Sequence, residues 1–92
     1  MNTHPASVGK QNQIILDHLA SAYTAALALA AEGYTVLDVK IGNRNPKIII
    51  QPGRRCRNLQ GALRMIDNTG PVRQNIYAAR YRDAQVEWRE TP

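Results

Sequence analysis

Two small constellations in this sequence could in principle do chemistry. Asp38-Val39-Lys40 has the carboxylate-x-lysine spacing that sends both side chains from one face of a strand. There a carboxylate can hold a metal and an ammonium can polarise a phosphate. That chemistry needs a second, upstream carboxylate on a strand, and the candidates, Asp17 and Glu32, fall in a helical pattern. The pair therefore reads as a charged pair on the solvent side of a strand.

Cys56 stands between Arg55 and Arg57, and neighbouring cations favour a thiolate. A nucleophile also needs a base, and nothing in the sequence links His18 to it. Cys56 instead shares an apolar spacing with Leu59, Leu63 and Ile66, which predicts a small buried hydrophobe. His4 and His18 lack partners at metal-ligand spacing, and Gly9-Lys10 lacks the other residues of a phosphate-binding loop. The expectation is a protein that is not an enzyme and takes no cofactor, metal or small-molecule substrate.

The arginines carry more information. Of twelve Lys and Arg residues, nine lie between positions 44 and 82, opposed there only by Asp67. They are Arg44, Lys47, Arg54, Arg55, Arg57, Arg64, Arg73, Arg80 and Arg82. Arginine suits bidentate contacts to phosphate or carboxylate, so these residues form the candidate binding surface for a nucleic acid or an acidic protein. Within "PGRRCRN", Arg54, Arg55 and Arg57 crowd what reads as a helix start, where cations are disfavoured by about 0.3–1 kcal/mol each. Backbone N–H groups and guanidinium groups converging on one anion would account for the crowding. Gly61, between Arg57 and Arg64, would let a phosphate backbone or another chain approach. The alternative is a solvated basic face, and the residues alone leave both readings open.

These side chains must be positioned by a thin core, since 92 residues make one domain, 1–92, with residues 1–10 a loose lead-in. From about Gln11 to Glu32, the apolar positions Ile15, Leu16, Leu19, Ala22, Tyr23, Ala26, Leu27 and Ala30 predict an amphipathic helix stopped by Gly33. Its uncharged run, Leu19 to Ala31, is short of the roughly 20 residues of a membrane span. "YTVLDVKI" alternates, with Thr35, Leu37, Val39 and Ile41 on one face and Val36, Asp38 and Lys40 on the other. With "KIIIQ" it predicts a hairpin over 35–51.

A second helix is predicted over about 54–68 from the spacing of Cys56, Leu59, Leu63 and Ile66. Residues 72–82 fit a strand or a helix, and the Tyr and Trp content with alternation through "VEW" favours strand. The fold class is α+β, in the order α-β-β-α-β, with an antiparallel sheet of three or four strands packed by two helices. Asp38, Lys40 and either Arg80 or Arg82 would face outward from it. A lone cysteine and the lack of an export signal make the cytoplasm the expected compartment.

Across "EGYTVLDVKIGNRNPKIIIQPGRRCRNLQGAL" and "NIYAARYRDAQVEWRE" the chain resembles small phage-encoded anti-CRISPR proteins that inhibit the type I-F surveillance complex. These share no diagnostic motif, so no residue role carries over. The resemblance implies a non-enzymatic inhibitor acting in an infected bacterium. It would bind protein subunits of the surveillance complex, and its guide RNA backbone, and block target hybridisation sterically. Many such inhibitors are acidic DNA mimics, and a net charge of +5 departs from that pattern. The alternatives are a basic phage nucleic-acid-binding or regulatory protein and, third, a virion subunit.

Overall fold

The structure is a computed structural model and describes residues 9–42 and 44–92. Most of the expected lead-in lies outside them. The class is α+β: a helix, α1 (Lys10–Ala31), precedes five strands in one sheet. These are β1 (Val36–Lys40), β2 (Lys47–Ile50), β3 (Ala62–Asp67), β4 (Gln74–Tyr81) and β5 (Ala84–Glu90). Spatial order is β1-β2-β5-β4-β3. The sheet is mixed, because β2 and β5 run parallel while every other pair is antiparallel. A parallel pair needs a crossover, supplied here by a 3-10 helix (Arg54–Leu59) and the path out to β3.

This corrects the expected sheet of three or four antiparallel strands and the expected second helix. Only Arg54–Leu59 is helical, as a tight 3-10 segment, and Gln60 then takes a left-handed conformation (φ 55) that ends it. The helix-like spacing of Leu63 and Ile66 has another cause. An irregularity between Leu63 and Met65 shifts the register, so that Leu63 opposes Tyr77 and Ile66 opposes Asn75. Two residues three apart thereby share one face of a strand, an effect of a bulge that imitates helical periodicity.

The same device corrects the alternation of β1. A register shift between Val36 and Asp38 puts Val36 opposite Ile50 and Val39 opposite Ile48, on the same side, while Leu37 sits exposed at the shift. Asp38 and Lys40 face the other way, as expected. The hairpin itself forms, and of residues 72–82 the stretch Gln74–Tyr81 is strand and none is helix, with the turn into β5 at Arg82 and Asp83.

The core lies on one side of the sheet. Ile48 and Ile50 of β2, Val86 and Trp88 of β5 and Ala79 of β4 meet Ala25 and Leu29 of α1, with Cys56 and Tyr34 closing the end. Gly33 holds φ 97, the left-handed stop expected there, and the N–H of Tyr34 returns to the Leu29 carbonyl. Only Ala22, Ala25 and Leu29 of α1 are buried. Leu16, Leu19, Tyr23 and Leu27, expected to face the core, are exposed. By length and composition α1 is also apolar enough to cross a membrane.

Candidate functional site

The sheet face opposite α1 carries no covering element among the described residues. By register, Asp38 and Lys40 (β1), Lys47 and Ile49 (β2), Gln85, Glu87 and Arg89 (β5), and Ile76 and Ala78 (β4) project from it. Period-two alternation produces this set, because Val86 and Trp88 on β5 point to the core and the residues between them cannot.

A hollow of about 500 Å³ lies on this face, floored by Ile49, Met65 and Ile76 and rimmed by Lys40, Lys47, Arg64 and Arg89 together with Asp38 and Glu87. A second of similar size adjoins it, lined by Arg44, Asn45, Lys47, Arg64 and Gln85. Lys47 and Arg64 border both. Three of the cations are already engaged: Lys47 with Glu87 at 3.2 Å, Lys40 with Asp38 at 3.4 Å, and Arg89 with Asp67 at 2.7 Å. Arg44 and Arg64 take part in no ion pair among the described residues. The hollow thus has an apolar floor, a largely charge-paired rim and two uncompensated guanidinium groups, Arg64 on the rim and Arg44 beside it, an arrangement suited to an anionic group from a partner.

Asp67 anchors one edge. The hydroxyl of Thr69 donates to it at 2.6 Å, the Thr69 backbone N–H at 3.0 Å and Arg89 at 2.7 Å. These bonds, the Thr69 hydroxyl foremost, hold the carboxyl well below the usual carboxylate range.

The expected arginines do not converge on one site. Arg54 and Arg57 border a hollow of about 450 Å³ with Gln74, Arg89 and Glu90. Arg55 instead turns to α1, with its guanidinium packed on Gly33. Arg54 also borders a hollow of about 310 Å³ with Arg55, Pro52 and Gly53, so the three arginines divide between two hollows, and the segment that carries them is a six-residue 3-10 helix in place of the expected longer one. Arg80 borders a separate hollow with Glu32, Tyr34, Arg55 and Tyr81. Arg82 sits in the β4–β5 turn with its guanidinium 5.8 Å from the Tyr81 ring centre, and Arg73 lies in the turn before β4. Those two turns stand at opposite ends of an eight-residue strand, about 27 Å apart.

Of the expected residues, Arg44, Lys47 and Arg64 are brought together. Lys40 and Arg89 were not among them, although both stand next to apolar residues in alternating runs, Lys40 between Val39 and Ile41 and Arg89 after Trp88. Gly61 does not open a path for a phosphate backbone, because the Trp88 ring fills the space above it. Cys56 is buried, as expected, its thiol directed to the Gln51 carbonyl at 3.7 Å, and burial pushes that thiol up. Asp38 and Lys40 pair with each other, while Asp17 and Glu32 belong to α1 and its cap beyond the sheet. Among the described residues no group of three or more His, Cys, Asp or Glu is arranged to hold a metal.

Residues 9–89 match the model of the Kil protein family. No curated protein and no solved structure matches the chain.

Proposed function

This chain belongs to the Kil protein family, a family of phage proteins, and on that premise we propose that it is a non-enzymatic inhibitor of host cell division. The family match over residues 9–89 carries this reading. The open sheet face supplies the means: Arg44 and Arg64, uncompensated beside the hollow of Lys40 and Lys47, engage an acidic surface of a host assembly in the cytoplasm of the infected cell. Inhibition by occupancy needs no acid, base or metal, and it fits a face whose apolar floor and cationic rim resemble a protein–protein contact more than a reaction site.

Induced expression in a bacterium without a CRISPR system tests this. Undivided filaments are expected within a few generations, and Arg44→Gln/Arg64→Gln should restore division while leaving the far-UV circular dichroism unchanged. Normal division under full expression of soluble wild-type protein would overturn it.

A second reading, inhibition of the type I-F surveillance complex, rests on the sequence resemblance and on the same two guanidinium groups, whose geometry also suits the phosphates of a guide RNA. It predicts a different phenotype. A host with an active type I-F system would become permissive to a targeted phage on expression, without filamentation.

A further inference from the structure

We infer that the protein forms a two-fold symmetric dimer through the exposed apolar stripe of α1. Leu16, Leu19, Tyr23 and Leu27 are 48%, 51%, 66% and 53% exposed, although their spacing places them in one row along the helix. The buried row, Ala22, Ala25 and Leu29, lies roughly a third of a turn away. α1 therefore carries two apolar faces, and the sheet uses one. Lys10 to Ser21 contains no buried residue, so the N-terminal half of the helix is held off the core with its leucines in solvent. Scattered exposed leucines need no explanation, but a continuous row of four does.

The spacing of the row matches a second copy of itself. An antiparallel crossing with the two-fold axis beside Ser21 sets Leu16 against Leu27 of the second copy and Leu19 against its Tyr23. Both contacts then occur twice, the isologous arrangement of a two-fold dimer. Ala20, Ala26 and Ala30 flank the row and leave its larger side chains to set the axes about 10 Å apart. Antiparallel alignment also places opposite dipole ends together.

The area suffices. A 22-residue helix is about 33 Å long, and half the circumference of a 10 Å cylinder is about 16 Å. Each copy thus offers about 500 Å², and the pair reaches about 1,000 Å², the lower bound of a specific interface. A membrane surface is less well matched. Lys10 and Asp17 are the only charged residues of α1, whereas an interfacial helix carries a polar face rich in Lys and Arg. This inference stands apart from the function proposed above, since α1 and the basic hollow lie on opposite sides of the sheet.

Light scattering coupled to size exclusion tests it over a protein concentration series. Wild type should show twice the 10.3 kDa chain mass at micromolar concentration, and Leu19→Glu should halve the apparent mass with unchanged far-UV circular dichroism, because the side chain is exposed within one chain. Orientation is tested by mixing Leu16→Cys protein with Leu27→Cys protein under oxidation. The mixture should form the mixed disulfide, and neither variant alone should cross-link. Monomeric wild type at 100 μM, self-cross-linking of Leu16→Cys alone, or flotation of a monomer with neutral lipid vesicles would each overturn the proposal.

Discussion

Gly61 lies under the indole of Trp88, so close that a β-carbon there would stand 3.1 Å from Trp88 Cζ2 and 3.0 Å from the Ala78 carbonyl oxygen. The ring has little room to withdraw. It is stacked on Tyr77 with centroids 5.9 Å apart, and its Nε1–H donates to Glu90 at 2.8 Å. Gly61→Ala is therefore expected to destabilise the fold by about 1–3 kcal/mol through overpacking. Urea unfolding followed by tryptophan fluorescence measures this, and an unchanged midpoint would show that the ring yields freely.

Arg55 and Gly33 form a second close pair, the guanidinium Cζ and Nε each 3.1 Å from the position of a Gly33 β-carbon. The cation thus sits at the C-terminal end of α1, where the dipole is negative. Arg55→Ala should cost about 0.3–1 kcal/mol, whereas Arg54→Ala and Arg57→Ala should be nearly neutral. Gly33→Ala should cost more than Arg55→Ala, about 1–2 kcal/mol from its φ of 97 before any clash with Arg55. Thermal melts of the four variants decide the order. Equal effects of the three arginine changes would remove Arg55 from its place at the helix end.

How much of this was legible in the sequence follows from where the periodicities are regular. Gly33, the existence of the first hairpin and the alternation through "VEW" behave as expected, because local geometry and burial agree there, whereas the spacing within β1 is broken by the shift at Val36/Asp38. The region from Arg54 to Asp67 misleads, since the shift at Leu63/Met65 and the contact of Gly61 with Trp88 are set by strands distant in sequence. The parallel pairing of β2 and β5 is likewise a tertiary choice with no local mark. The clustering of Arg44, Lys47 and Arg64 depended on that choice, so composition showed a basic segment but not which members meet.

Asp67 makes stability depend on pH at the acid end. Its folded carboxyl is depressed, so the stabilisation is fully present above the unfolded value of about 3.9 and is lost as pH falls through the lower folded value. Asp67→Asn should lower the melting temperature at pH 7 and flatten its decline below about pH 4. Parallel wild-type and variant profiles between pH 2 and 7 would argue that the Thr69 and Arg89 bonds persist only weakly in solution.

Cys56 should react slowly with an aromatic disulfide reagent in the native state, since its side chain is buried and burial raises its thiol above the ordinary range. Labelling should accelerate sharply in denaturant, with a rate that follows global unfolding. Fast native labelling would place the 3-10 segment among locally opening regions.

Net charge and charge placement make separable predictions for polyanion binding. Arg44→Gln/Arg64→Gln and Arg73→Gln/Arg82→Gln each remove two positive charges, so the long-range attraction falls equally in both. The first pair flanks Lys47 at adjoining hollows, whereas the second pair occupies turns about 27 Å apart at opposite ends of β4. Cations that border one hollow act on the same stretch of polyanion and release its counterions together. Separated groups cannot. On a heparin column the Arg44/Arg64 variant should elute at distinctly lower salt than wild type, and the Arg73/Arg82 variant only slightly below it. Equal shifts would mean that total charge alone governs binding and that the hollow on the open sheet face gives the arginines no common target.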